Sequence, residues 1–374
     1  MKINVRFVEN IMLLLFFLFA MGLFNMSGHI LAFLILLFFL TSITKKIVVD
    51  KLVIVLLLFS LCYFIDYAMF WEVGVKEVIT YLLAPWCCFL ISENMVIHSK
   101  SKAITEKIIL AIVVGLFIHG LLNFYIYLKM YGLHSYGMGT ARVSYDFWRK
   151  EMIAVTACAL YFVPMISLSL GYLFYGKKKL YKGMSVIAIV TGILINVAYS
   201  NRTVFGILLL LIVIRLVSNI SIKAINIRKV VVLLLVITGV IWCWSTNLGG
   251  IQSYIMELNI TQRFLSGDTG RMEVWAEYLQ SEWWRYPFGG QHFRSVYKYA
   301  HNMWMDTFNT AGALPFVLLT TFTAGIIGIM RKNRVYFYLM AGMLISCALE
   351  PIMEANPYYL FSLIIIAGAL KGKV

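Results

Sequence analysis

His301 is the strongest candidate for acid–base chemistry in this sequence. It stands in the pair His301-Asn302, directly ahead of a long apolar run. Imidazole has an unperturbed pKa near neutral pH, so a histidine can take a proton from a hydroxyl group and later release it. The residue type alone leaves a purely structural role open. The other histidines have no comparable setting; they are His29, His98, His119, His134 and His292.

Two arginines are placed where they would hold a phosphate group. Arg202 lies in a short turn between two apolar runs, and Arg271 opens a helical pattern. A guanidinium group forms paired hydrogen bonds to phosphate and keeps its charge in a partly apolar setting. A lone arginine at a helix end is also a common anchor at the membrane surface, so both roles stay open. Further candidates for substrate contact are Arg142, Arg285 and Arg294.

The carboxylates Glu350 and Glu354 flank Pro351 near the end of the chain. They are candidates for metal binding or proton transfer, and solvated loop carboxylates are the simpler interpretation. The sequence lacks the phosphate-binding loop of ATPases, the zinc motif His-Glu-x-x-His, the serine motif Gly-x-Ser-x-Gly and an Asp-x-Asp pair. We therefore expect neither a cofactor nor a catalytic metal.

The composition indicates that a membrane protein carries these residues. Of the 374 residues, 61% are hydrophobic and 13% are charged. A soluble protein of this size would expose too much apolar surface to water. Apolar runs of about 18–20 residues recur along the chain, which is enough for a helix to cross a hydrocarbon core of about 30 Å. Helices satisfy their own backbone hydrogen bonds in lipid, so the sequence predicts an all-α polytopic membrane protein.

The apolar runs predict about twelve transmembrane helices in a single transmembrane domain over residues 1–374. The chain shows no internal repeat and no long linker that would divide it. An even number of spans places both termini on the same side of the membrane. The predicted spans are approximately 8–26, 28–44, 52–70, 78–95, 106–128, 152–175, 183–200, 203–219, 230–247, 306–330, 335–349 and 358–370.

The distribution of charge orients these helices. With alternating loops and the N-terminus inside, 21 of the 32 basic residues but only 4 of the 17 acidic residues fall on the cytoplasmic side. Cytoplasmic loops carry an excess of lysine and arginine, so both termini are predicted to be cytoplasmic. The net charge of +15 then belongs to short loops that face anionic lipid headgroups, and a nucleic-acid partner is not expected.

The largest predicted outer segment, a periplasmic loop, covers residues 248–305. Within it, Met272–Trp284 has apolar residues at helical spacing and glutamates on another face. This pattern predicts an amphipathic helix that lies on the outer leaflet or across the end of the bundle. A second outer loop covers about residues 129–150. Long ordered loops are uncommon unless they carry a function, so we place the chemistry on the outer face.

Four short motifs follow one another in the second half of the chain, namely Thr269–Trp275, Pro287–Gly290, His301-Asn302 and Ala311–Leu314. In order and spacing they resemble the C-terminal signature of the O-antigen polymerase and O-antigen ligase superfamily. The resemblance covers about residues 185–370, together with the overall topology.

A fifth motif lies upstream, where Ser200-Asn201-Arg202 resembles the Ser-Arg pair that this superfamily carries at the outer end of a helix. Here Asn201 stands in place of the serine. A second departure is Gly289-Gly290-Gln291, in which the second glycine of a Gly-x-Gly element is displaced. Neither departure removes a charged group.

The resemblance implies a GT-C-like, metal-independent glycosyltransferase that inverts the sugar carbon it attacks. Its donor would be a glycan linked to undecaprenyl diphosphate, with Arg202 and Arg271 on the diphosphate and His301 on the acceptor hydroxyl. Asn302 and Trp275 would contribute to substrate binding, and an interfacial belt is the alternative role for tryptophan.

These expectations combine into an O-antigen or related surface-polysaccharide polymerase of the bacterial inner membrane. Its partners would be an undecaprenyl-diphosphate-linked oligosaccharide and the lipid bilayer, and binding of a chain-length regulator protein is left open. One alternative is an O-antigen ligase, which transfers the same donor glycan to lipid A-core. Another is a polysaccharide flippase, although transporters commonly show internal repeats and charges at the membrane midplane, and these are absent or few here.

Overall fold

The computed structural model shows an all-α membrane protein with one short β-hairpin. It describes residues 5–43, 46–70, 72–132, 143–218, 246, 253, 256–257, 261–262, 271–280, 287–289, 299–350 and 356–373.

The described helices follow the apolar runs of the sequence. Helix α4 contains a π-helical segment at Val78–Leu83, and α6 is bent at Tyr161-Phe162. In chain order the helices are α1 (Val5–Met21), α2 (Ser27–Ser42), α3 (Lys51–Phe70), α4 (Val75–His98), α5 (Ile104–Tyr131), α6 (Val155–Tyr175), α7 (Lys179–Ala198), α8 (Arg202–Ser218), α9 (Arg271–Gln280), α10 (Met303–Ala311), α11 (Ala313–Met330), α12 (Arg334–Cys347) and α13 (Pro357–Gly372).

Several of these helices have the length and composition of membrane spans. Within the described residues, six are at least 18 residues long and apolar enough to cross a bilayer, namely α3, α4, α5, α6, α7 and α11. Helices α2, α12 and α13 are shorter apolar helices. The total of twelve spans stays a prediction, since all of the predicted span 230–247 except residue 246 lies outside the described residues.

Helix α13 lies at the centre of the bundle. Every side chain from Tyr359 to Leu370 is buried, and the helix packs extensively against α4. Gly368 permits this approach, because a Cβ there would lie 2.6 Å from the Phe89 carbonyl oxygen of α4. Helix α7 lies at the periphery instead, where Ile187 is 68% exposed. Apolar side chains at the periphery face lipid, so close packing of the interior rather than exclusion of water holds the helices together.

Two predicted spans differ from the structure at one end. The predicted span 306–330 is divided into α10 and α11, because Gly312 has a φ of +93° and interrupts the helix. The predicted span 152–175 begins with a β-strand, and its helix starts at Val155. Both differences come from contacts with neighbouring loops, which a hydropathy pattern does not detect.

The loop predicted over about residues 129–150 is partly regular. Helix α5 extends into it, and strands β1 (Val143–Tyr145) and β2 (Met152–Ala154) form an antiparallel hairpin with Val143 opposite Ala154. The hairpin is too short to be stable alone, so it depends on contacts with the helices beneath it.

The ends of the helices lie on two opposite faces of the bundle, and contacts with the connecting segments show which ends lie together. On one face, the Lys371 ammonium group of α13 lies 3.1 Å from the Asp50 carboxylate. On the opposite face, Trp148 of the hairpin turn donates from Nε1 to the Met21 carbonyl oxygen at 3.1 Å. We call this second face the site face, because it also carries His301.

Candidate active site

Asn302 caps helix α10 directly after His301. Its side-chain oxygen accepts hydrogen bonds from the N–H groups of Trp304 (3.1 Å) and Met305 (3.2 Å), which lack partners within the helix. Its amide nitrogen donates to the Ala348 carbonyl oxygen at 3.1 Å. Asn302 therefore joins the start of α10 to the chain that follows α12, which supports a positioning role. The role in substrate binding predicted from the sequence stays a prediction.

A buried carboxylate holds the backbone on both sides of His301. Asp306 is 1% exposed and accepts hydrogen bonds from Ala300 N–H at 2.6 Å and from Asn302 N–H at 3.0 Å. His301, between them, has a φ of +54°, a left-handed conformation that is uncommon for residues with a Cβ. The two charge-assisted hydrogen bonds offset the cost of that conformation. Asp306 was not among the predicted site residues, and its signal in the sequence was an acid in the first turn of a helix.

Glu350 lies beside the imidazole ring of His301. The distance between His301 Nδ1 and Glu350 Oε2 is 3.8 Å, and the two side chains are 45% and 6% exposed. At this distance the contact is electrostatic rather than a hydrogen bond. The Nδ1 atom is shielded from solvent, so the exposed surface belongs to the other ring atoms, among them Nε2. One edge of the ring thus faces a buried carboxylate while the other is open to solvent.

Helix α9 docks on the segment that leads to His301. It begins at Arg271 and covers most of the predicted amphipathic helix Met272–Trp284, whose residues 281–284 lie outside the described part of the chain. Trp275 donates from its indole Nε1 to the Ala300 carbonyl oxygen at 2.7 Å, while Glu273 is exposed. The helix that carries Arg271 is thereby bonded to the residue that precedes His301.

The motif Pro287–Gly290 packs against the break between α10 and α11. Gly289 and Gly312 have φ values of +79° and +93°. A Cβ on Gly312 would collide with the Pro287 carbonyl oxygen and lie 2.8 Å from Phe288 Cα, so only glycine fits. The Pro287 carbonyl oxygen also accepts a hydrogen bond from Ala313 N–H at 2.9 Å. Two of the motifs recognised in the sequence are therefore in direct contact.

Gly312→Ala is expected to destabilise the folded protein by about 1–3 kcal/mol, because the added methyl group must displace the Pro287 turn and strain the left-handed backbone. Thermal unfolding of the purified protein in detergent measures the loss. Gly328→Ala is the matched control on the same segment, since no atom lies within 4 Å of a Cβ built there. Equal unfolding midpoints for the two variants would contradict the contact.

Arg202 is the first residue of α8 and lies in a tight turn. Ser200 has a φ of +50°, and Asn201 caps the helix by accepting a hydrogen bond from Val204 N–H at 3.0 Å. The Arg202 side chain is half-buried. Asparagine in place of serine therefore keeps a side chain that can cap the helix.

Arg202 and Glu350 lie towards the same end of the helix bundle. Helix α8 packs against α12, where a Cβ on Gly342 would lie 3.6 Å from Leu211. Arg202 precedes Leu211 by nine residues of α8, which is about 13.5 Å at a rise of 1.5 Å per residue. Glu350 follows Gly342 by eight residues and lies just beyond the end of α12 at Cys347, towards the same end of the bundle. The structure thus brings Glu350 and Trp275 to the His301 segment and places Arg202 on the same face.

No family model matches the chain, and no curated protein matches it. Membership of the O-antigen polymerase and ligase superfamily therefore stays a proposal, supported by the motifs and by their placement.

Some predicted site residues lie outside the described part of the chain. These are Arg142, Arg285 and Arg294, and Glu354 lies outside it as well. For Arg271 the structure describes the backbone at the start of α9. Within the described residues, no three or more His, Cys, Asp and Glu side chains are grouped to hold a metal ion.

A second polar cluster on the site face was not predicted. It is built on four residues of α5 at intervals of four, which therefore line one side of the helix. His119 Nε2 lies 2.8 Å from Asp146 Oδ2 in the hairpin turn, and Asn123 accepts a hydrogen bond from Phe147 N–H at 2.8 Å. The other two residues are tyrosines that donate to backbone carbonyl oxygens. The four are His119, Asn123, Tyr127 and Tyr131.

The His119–Asp146 pair is buried, with side chains 4% and 3% exposed. Burial acts to raise the pKa of Asp146, but the hydrogen bond and charge of His119, with a hydrogen bond from the Arg149 N–H, outweigh it and lower that pKa. Asp146 is therefore an ionised acceptor, and His119 Nε2 is the donor. In the sequence, this cluster was visible as four polar residues at helical spacing within an apolar run.

Proposed function

We propose that this protein is a surface-polysaccharide polymerase of a bacterial inner membrane. It is a GT-C-like inverting glycosyltransferase with its site on the outer side and both termini in the cytoplasm. It transfers a growing glycan from undecaprenyl diphosphate to an incoming lipid-linked repeat unit. The observation that carries the proposal is the accessible edge of His301, which is backed by the buried Glu350 and bonded through Trp275 to the helix that begins at Arg271.

His301 is the proposed base. Its Nε2 takes the proton of an acceptor hydroxyl group while the hydroxyl oxygen attacks carbon C1 of the donor sugar. The bond from C1 to the diphosphate breaks, and its electron pair stays on the diphosphate oxygen. Attack from the side opposite the leaving group inverts C1. Glu350, 3.8 Å from Nδ1, stabilises the imidazolium that forms, and this imidazolium then releases its proton to solvent.

Arg202 and Arg271 are the proposed ligands of the diphosphate. Each is the first residue of a helix, and the helix dipole favours an anion at that end. Guanidinium groups at those positions would stabilise the negative charge that develops on the leaving diphosphate. Donors fixed by the fold need little rearrangement as the bond breaks, which is the main source of this kind of catalysis.

Deletion of the gene followed by gel analysis of lipopolysaccharide tests the function. A polymerase deletion leaves core that carries a single repeat unit. Bare core would overturn the proposal, and the location of lipid-linked material would then identify the activity. Lipid-linked chains on the outer side indicate a ligase, and single units retained inside indicate a flippase.

Arg202→Gln is expected to slow chain extension by about a hundredfold or more, because a neutral side chain cannot stabilise the leaving diphosphate. Arg202→Lys should recover only part of the rate, since lysine lacks the paired donors of guanidinium. The measurement is incorporation of labelled repeat units by purified protein in vesicles. Arg215→Gln is the matched control, because Arg215 lies in the last turn of the same helix and donates to the Tyr175 hydroxyl. Equal rates in both glutamine variants would remove Arg202 from the site.

A further inference from the structure

We infer that Trp275, Ala300 and Asp306 form a mount that sets the position of His301, in which Asp306 is a positioning residue for the reaction. We call these three residues the Ala300 mount. The inference rests on the proposed function, in which His301 is the base.

Both backbone polar groups of Ala300 are bound by side chains from different helices. Its N–H donates to Asp306 Oδ1 of α10 at 2.6 Å, and its carbonyl oxygen accepts from Trp275 Nε1 of α9 at 2.7 Å. Ala300 itself is fully buried. The chain next to His301 is therefore held by the helix that follows it and by α9, whose Trp275 lies 25 residues earlier in the sequence.

Asp306 also holds the chain after His301, since its Oδ2 accepts from Asn302 N–H at 3.0 Å. A residue in the left-handed region keeps that conformation when its surroundings impose it. Rotation of the His301 backbone towards an ordinary conformation would pull these N–H groups away from a buried carboxylate. The left-handed turn points the imidazole between Glu350 and solvent, so Asp306 determines where the base lies without touching the substrate.

The Ala300 mount also joins the base to the helix that begins at Arg271. Trp275 lies one turn after Arg271 in α9. The hydrogen bond from Trp275 to the Ala300 carbonyl oxygen therefore fixes this helix against the segment that carries His301, as expected when catalysis depends on placement to within about 1 Å.

Asp306→Asn tests the Ala300 mount by replacing one of the two acceptor oxygens of Asp306. An amide offers one acceptor oxygen and one NH2 group, so in either orientation one of the two backbone N–H groups faces a donor instead of an acceptor. We expect the kcat for chain extension to fall about tenfold or more while the KM for the lipid-linked donor changes less than about twofold, because the arginines are unchanged. Trp275→Phe keeps the aromatic ring and removes the N–H, and it should lower kcat by about fivefold.

The second readout is the reactivity of His301 towards diethylpyrocarbonate, followed by mass spectrometry of the peptide that contains it. This reagent acylates accessible imidazole, and the His301 side chain is 45% exposed. Both variants should change the acylation rate of His301 by about threefold or more, because the ring leaves its place beside Glu350. Thr307→Val is the matched control, since Thr307 is the buried neighbour of Asp306 on α10. It should leave both readouts unchanged.

Three outcomes decide the inference. A normal kcat and a normal acylation rate in Trp275→Phe and Asp306→Asn would overturn it. A raised KM with normal kcat would also overturn it, because the residues would then serve donor binding. If the acylation rate changes as expected but the wild-type protein extends no glycan chain, the mount stands and the proposed function fails.

Discussion

His301→Asn is expected to reduce chain extension by about a hundredfold to ten-thousandfold, the range that a general base contributes. Asparagine is a sharper choice than alanine because it tolerates the left-handed backbone seen at this position. The variant should therefore keep the capped start of α10 and lose only the base. The measurement is incorporation of labelled repeat units by the purified variant, together with lipopolysaccharide from cells that carry it, which should show single repeat units on core.

The control for this loss is His98→Asn. His98 contacts the Lys46 carbonyl oxygen at 2.9 Å on the face opposite the site face. It should support full-length chains, and both variants should reach the membrane in equal amounts. Normal chain length in His301→Asn would show that the base is elsewhere.

Asp146→Ala is expected to lower the free energy of unfolding by about 3–5 kcal/mol, because it leaves the buried His119 without its acceptor. The same carboxylate accepts hydrogen bonds from the N–H groups of Trp148 and Arg149, each at 2.9 Å, so the hairpin turn loses these two bonds as well. Thermal unfolding in detergent measures the change. The double variant with His119→Leu should cost less than the two single variants together, since the pair acts as one unit.

The His119–Asp146 pair should make the stability of the folded protein decrease at low pH. The pKa of Asp146 is lowered in the folded protein, so the stabilisation is complete above the ordinary carboxyl value of 3.8 and is lost as the pH falls further below that value. Wild-type protein should unfold at lower temperature as the pH drops below about 4, and Asp146→Asn should show a smaller decrease. Parallel pH curves for the two proteins would argue against an ionised Asp146 in the folded state.

Local patterns in the sequence predicted the helices because the hydrocarbon core of the membrane restricts which segments can cross it. A segment in hydrocarbon must face the lipid with apolar side chains and must form all its backbone hydrogen bonds internally. Long apolar runs therefore become helices almost regardless of their neighbours. The described bounds of α3 and α5 lie within a few residues of the predicted spans 52–70 and 106–128. The motif around Gly312 was also visible, because a left-handed backbone in a crowded place restricts the choice to glycine.

Contacts between distant segments were not visible in these patterns. Nothing in the short motif His301-Asn302 shows that Trp275 bonds the preceding residue or that Glu350 comes to lie beside the ring. His119 looked like an isolated polar residue within an apolar run, since its partner Asp146 lies on a hairpin that hydropathy read as part of a loop.

The sequence by itself determined that this is an all-α membrane protein, and it singled out His301 and Arg202 as residues able to do chemistry. Composition and periodicity suffice for this, because burial in lipid and side-chain chemistry are properties of single segments. Only the tertiary structure decided the orientation of the His301 ring and its support. Those depend on the hydrogen bond of Trp275 to Ala300 and on the approach of Glu350 to the ring, and both form only after the bundle has brought separate segments together.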